Sequence, residues 1–120
     1  MKRKTSKKRL IELCEAKILE ELKEERGARC EICGGINQLG LFHVLPKGVY
    51  YNFRLHKENL LIAGWFCCHL PWHHSYYEAR DRIVPKIKEL LGEDYEVRLK
   101  QLADNAPKLN EVRLMEILEE

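Results

Sequence analysis

Four cysteines (Cys30, Cys33, Cys67, Cys68) and all five histidines (His43, His56, His69, His73, His74) fall inside one stretch, residues 30–74. Thiolates and neutral imidazoles are the usual ligands of zinc, and a Cys-x-x-Cys turn brings two sulfurs onto one cation. Cys30-x-x-Cys33-Gly has that form, and Cys67-Cys68 follows 34 residues after Cys33. A lone Cys-x-x-Cys is a weak signal, whereas four cysteines clustered this closely predict a metal site. The competing reading, cysteine as a small buried hydrophobe, fits Cys14, which lies on an apolar helical stripe.

The histidines suggest a second chemistry. His43 lies in the short apolar run Leu41-Phe-His-Val-Leu45, closed by Pro46-Lys-Gly48. A neutral imidazole at a strand end can act as a general base, because its reference pKa of ~6.5 is close to working pH. His69-x-x-x-His73 puts two rings on one helical face, where they can share a cation. Pro71 would sit in the first turn of that helix, and His74 would point elsewhere.

These residues must be positioned by flanking elements. Leu10, Ile11, Cys14, Ile18, Leu19 and Leu22 recur at steps of three and four, with charges opposite, and predict an amphipathic helix that Gly27 ends. Two short strands are expected at Leu41–Leu45 and at Leu60-Leu-Ile-Ala63. A helical pattern is expected from Cys67 through Leu91, broken or kinked at Pro85, and then short helices over 93–104 and 109–119. The expected organisation is a basic mobile arm at 1–9, an N-terminal helix at 10–27, a core at 28–84 and a C-terminal helical extension at 85–120, all in one compact domain.

Cys30-x-x-Cys33, His43-Val-Leu-Pro-Lys-Gly48, Phe53-Arg54, Glu58-Asn59-Leu60 and Cys68-His69, in this order, resemble the HNH (ββα-metal) endonucleases. Within them, the chain resembles the phage and prophage recombination endonucleases of the NinG (Rap) kind. The resemblance covers most of the chain, with its specific motifs confined to residues 30–79. It implies an α+β fold with a small ββα-metal core and a zinc knuckle, flanked by an N-terminal helix and C-terminal helices. His43 would be the base that activates water, and Asn59 would brace the loop between the strands. His69 would be a metal ligand on the helix, joined by His73 on a catalytic divalent ion (Mn, Mg, Ni or Zn). Cys30, Cys33, Cys67 and Cys68 would hold a structural zinc. Lys47 and Arg54 would contact phosphate. The implied partner is DNA, branched or single-stranded, with a homodimer or a phage recombination protein as further partners.

The sequence departs from that pattern twice. Phe42 stands where an acid or a histidine usually precedes the base, and it cannot ligate an ion. Trp65 stands where a second Cys-x-x-Cys ending at Cys68 would begin. Adjacent cysteines are an awkward pair on one tetrahedral ion, so three readings stand: four thiolates, three plus His56 or His74, or a zinc site that has been lost. Both departures favour a second reading, a non-catalytic zinc module that binds nucleic acid or a partner protein.

Composition bounds these readings without choosing between them. The chain has 120 residues, 33% of them charged, and a net charge of +2. That length supports one small domain. No apolar run reaches the ~20 residues of a membrane span, and no apolar segment follows the basic N-terminus as it would in a secretory signal. An odd cysteine count with no signal peptide predicts a reducing, cytoplasmic setting rather than a disulfide framework. A ~45-residue core is too slight for apolar burial alone, so metal and flanking helices are expected to hold it.

Overall fold

In the structure, a computed structural model that describes residues 6–120, the predicted amphipathic helix is α1, Lys7–Arg26. Ser6 caps it by accepting a hydrogen bond from the Arg9 backbone N–H. Residues 7–9, expected in a mobile arm, are therefore helical, because the Ser6 cap starts the helix three residues early. The remainder of that arm, 1–5, lies outside the described residues. Leu10, Ile11, Cys14, Ile18 and Leu22 form the buried stripe. At roughly 2 kcal/mol for each fully buried aliphatic chain, this face is what holds α1 in place.

The stripe packs against one face of a two-stranded antiparallel sheet, β1 (Leu39–His43) and β2 (Leu60–Gly64). Leu39 pairs with Gly64 and His43 with Leu60, so His43 closes β1. The first strand lies two residues earlier than expected. Every residue of β2 is buried, because both of its faces are covered. Leu60 and Ile62 face α1, while Leu61 and Ala63 face a second apolar cluster with Phe42, Phe53, Ile83, Ile87 and Leu99. A strand covered on both sides reads as a continuous apolar run, as Leu60–Ala63 does.

The outer edge of β2 is closed by one residue of the Cys-x-x-Cys turn. The Glu31 N–H donates to the Ile62 carbonyl at 2.8 Å, and Glu31 Oε2 accepts from the Ile62 N–H at 2.7 Å. Arg26, in the last turn of α1, donates to Glu31 Oε2 and to the Leu60 carbonyl.

After β2 the chain turns helical. A π turn at Trp65–His69 leads into α2 (Leu70–His74), then α3 (Tyr76–Glu78), a second π turn at Ala79–Ile83 and α4 (Val84–Leu91). The break expected at Pro85 falls instead at Ser75, whose backbone is extended and whose side chain caps α3. The chain stays helical through Pro85 because the π turn before it shifts the bonding to i→i+5, so the donor that proline lacks is not missed.

Two final helices, α5 (Tyr95–Asp104) and α6 (Glu111–Glu119), complete the fold. Helix α6 packs on α1, where Lys17 Nζ donates to the Ile117 and Glu120 carbonyls. Cys14 is fully buried there, its thiol donating to the Leu114 carbonyl. Among the described residues, no helix is long and apolar enough to cross a membrane.

Candidate metal centre and histidine cleft

The four cysteines of the central stretch converge. Ligand atoms of Cys30, Cys33, Cys67 and Cys68 all lie within 4.8 Å of one another. A zinc tetrahedron with Zn–S bonds of ~2.3 Å needs sulfurs about 3.8 Å apart, so the quartet fits a zinc ion. It is also the only such group of three or more potential ligands among the described residues.

Local structure explains the convergence. Cys30 and Cys33 sit on a tight turn in which the Gly34 N–H donates to the Cys30 carbonyl at 2.8 Å and the Cys30 N–H donates to the Gly35 carbonyl at 2.7 Å. Gly34 adopts φ 83°, a left-handed conformation that disfavours other residues. Cys67 and Cys68 lie on the first π turn. Its i→i+5 bonding packs more residues into each turn, so neighbouring side chains diverge less than on an α-helix. That is how adjacent cysteines reach one point. Gly64 makes room for them, since a Cβ there would stand 2.6 Å from Cys67 Sγ.

His56 and His74 stay outside the quartet. His56 stacks on Phe53 and faces Glu58, and His74 is exposed on α2. The fourth member of the cluster is thus a cysteine, and the awkwardness of adjacent cysteines is relieved by the π turn, which the sequence pattern did not reveal.

The electrostatics suit a cation. Burial opposes ionisation of Cys30, but hydrogen bonds from the backbone of Gly64, Cys33 and Ile32 outweigh it and bring the thiol down to about 7. Cys67 is pushed up to about 11, and Cys68 is raised as well, in both cases chiefly by burial. Thiols this close resist ionising in succession unless a cation joins them. Arg82 supplies part of that charge from outside. Its Nη1 donates to Cys68 Sγ at 3.2 Å and its Nη2 to the Cys67 carbonyl at 2.7 Å, while Glu78 holds its Nε at 2.7 Å.

The histidines form a different place. His43, His69, His73 and Lys47 line one cleft of 580 Å³, walled on its far side by Glu12, Glu15, Ala16 and Leu19 of α1. The His43 side chain is 10% exposed. Its ring donates a hydrogen bond to the Arg54 backbone carbonyl, and Nε2 is buried without a partner, 3.9 Å from Glu15 Oε2. Burial first, then the charges of Lys47 and Arg54, lower its pKa to about 4, so the imidazole is neutral at pH 7 and Nε2 carries a free lone pair. Asn59 stands behind it, fully buried. Asn59 Oδ1 accepts from the Leu45 N–H at 2.7 Å, and Nδ2 donates to the Leu45 carbonyl at 3.1 Å. These bonds tie the chain just after His43 to the start of β2.

His69 and His73 stack at 5.0 Å between ring centroids. Burial holds His69 below the ordinary imidazole pKa, with His73 and Lys47 adding to the effect. Beside them Phe42, fully buried, contacts His69 at 5.7 Å and Trp72 at 5.2 Å. The two imidazoles offer part of an ion's coordination shell, and apolar rings occupy the space next to them. Arg54 lies just outside the cleft, with Nη2 3.7 Å from Glu15 Oε1.

Sequence reasoning missed Glu12 and Glu15 in the cleft and Arg82 beside the quartet. A signal existed for Glu15, four residues after Ile11 and three before Ile18, at the border of the apolar stripe. None existed for Arg82, whose contact depends on how α3 and α4 fold back.

Fold and site together define a small α+β domain with a two-stranded antiparallel sheet and a four-cysteine cluster that could hold a metal ion such as zinc. Compared with protein-family models, with curated proteins and with solved structures, the chain has no match.

Proposed function

We propose that the protein is a metal-dependent endonuclease of the HNH kind that hydrolyses DNA phosphodiester bonds in phage or prophage recombination or DNA processing. The observation that carries this reading is His43. It is a neutral imidazole anchored through one nitrogen, with its other nitrogen unpartnered toward a cleft that also holds His69, His73 and Lys47. Such a nitrogen can take the proton of an attacking water. Asn59 keeps His43 at its post by bracing Leu45, and Lys47 and Arg54 attract the phosphate without reading sequence. His69 and His73 would hold a divalent cation, which when bound neutralises charge developing on the phosphoryl and leaving oxygens. Imidazole ligands favour manganese, nickel or zinc over magnesium.

The test is plasmid nicking with Mn²⁺, Mg²⁺, Ni²⁺ or Zn²⁺ by the zinc-loaded protein and by His43→Ala. Cleavage by the wild type that falls by two orders of magnitude or more in the variant supports the reading. Equal rates, or no cleavage by either at high protein concentration, refute it.

One observation favours a second reading, a zinc module that binds nucleic acid or a partner without cutting. Phe42 fills the space beside His69 where the resemblance expects an ion ligand. That reading predicts one metal per chain, salt-sensitive DNA binding and no nicking.

A further inference from the structure

A second hollow, of 510 Å³, lies along the first turns of α1. Lys7 and Lys8 form one side, and Lys47, Tyr51 and Arg54 the other. Glu12, Glu15 and Lys47 line both this hollow and the histidine cleft, so the two are parts of one surface.

Three features give the hollow its character. It gathers four cations against two carboxylates, and both carboxylates lie on the border shared with the cleft. One of them, Glu12, is 3.4 Å from Arg9 Nη1. The first turn of α1 has no acidic residue, so nothing there offsets Lys7, Lys8 or the positive end of the helix dipole. Tyr51 organises the cations, with Lys7 Nζ 5.0 Å and Arg54 Cζ 5.6 Å from the centre of its ring. The negative face of an aromatic ring holds such groups in place while leaving their donors free. Arg54 is mostly buried, and its Nη2 lies 3.7 Å from Glu15 Oε1, so its charge toward the groove is partly offset. An ion pair that long is no hydrogen bond and leaves the guanidinium some attraction for a phosphate oxygen.

We propose that this groove binds a nucleic-acid strand through its phosphates, leading the backbone past Tyr51 and over Lys47 into the histidine cleft. The proposal rests on the endonuclease reading only for where the strand goes. Lys7, Lys8, Lys47 and Arg54 make the phosphate contacts. Tyr51 is a positioning residue that sets where Lys7 and Arg54 point. On this view α1 is one bank of the substrate channel as well as a packing element.

Fluorescence anisotropy on the zinc-loaded full chain tests this with labelled single-stranded and duplex oligonucleotides across a salt series. The Lys7→Gln/Lys8→Gln double variant should bind at least tenfold more weakly, with the plot of log affinity against log salt shallower by about 1–2. Tyr51→Leu should lose several-fold in affinity while keeping the slope, since it removes no charge. Lys86→Gln/Lys88→Gln, which removes two charges from α4, should bind as the wild type does. The form of DNA on which the groove variants lose most identifies the strand the groove takes. Equal losses in the α1 and α4 double variants would reduce the effect to bulk charge and overturn the proposal. Wild-type affinity and slope in the α1 variant would overturn it too. The endonuclease reading is judged separately, by nicking, and could fall while the groove stands or stand while the groove falls.

Discussion

The cysteine quartet and the histidine cleft are built from neighbouring stretches of the same chain, yet they are finished to different degrees. In the quartet, ligand atoms already lie within mutual reach, a tight turn and a π turn hold them, and Arg82 faces them from outside. In the cleft, His69 and His73 sit at one side, His43 is turned toward α1, and aromatic rings fill the gap beside the pair. A structural ion needs closed, preformed coordination, whereas a catalytic one keeps positions open for water and substrate. The contrast is therefore what a division of labour would produce. It also marks Phe42, packed against His69, as the feature of the cleft that least suits an ion.

The largest effect that would sharpen this contrast comes from breaking the quartet. Cys30→Ser or Cys68→Ser should abolish stoichiometric zinc in elemental analysis and unfold the domain at 25 °C, since structural zinc contributes on the order of 10 kcal/mol to small metal domains. The matching change in the cleft, His73→Ala, should leave the melting temperature within a few degrees of wild type, because His73 is exposed.

Asn59→Ala comes next. It removes two buried hydrogen bonds and leaves the Leu45 N–H and carbonyl unpaired, at a cost of about 2–4 kcal/mol in urea unfolding. Zinc content should stay at wild-type level while nicking is lost, which would separate the two sites functionally. Loss of zinc in this variant would show instead that they fail as one.

An effect of similar or smaller size should follow from acid. A histidine with a folded pKa of about 4 and an unfolded pKa of ~6.5 contributes stability that is complete above pH 6.5. That contribution is lost as pH falls toward 4, and it amounts to at most about 3 kcal/mol. His43→Gln should flatten this part of the stability–pH curve. If the acid limb is unchanged in the variant, the loss belongs to protonation of the zinc thiolates and not to the cleft.

The smallest effect expected is at Arg82. Arg82→Gln should keep the fold and the zinc but weaken zinc affinity about 10–100-fold in a competition with a chelator, the usual cost of losing an outer partner. Unchanged affinity would mean that the contact with Cys68 is incidental.

Much of this was legible in the sequence where short-range spacing governs. The α1 stripe, the unbroken apolar run of β2, the Cys30 turn and the Gly27 stop all follow from local periodicity and backbone preference. Residues that depend on a third element were not legible. Ser75 outranks Pro85 as a break because a π turn absorbs the proline, and bonding registers of that kind leave no period in the sequence. Cys67 and Cys68 reach the same cluster for the same reason. Glu15, Lys7 and Lys8 join the cleft and its groove only because α1 lies across them, which helical spacing alone does not specify.

Glu31 links the metal turn to a different hazard. A two-stranded sheet has two open edges, and an unpaired edge invites another chain to add a strand. By bonding both backbone groups of Ile62, Glu31 works as a one-residue strand that seals β2. Since it sits between Cys30 and Cys33, the seal stays in place only while that turn does. If the quartet holds an ion, stripping it would loosen this turn, uncover an apolar strand edge and favour self-association.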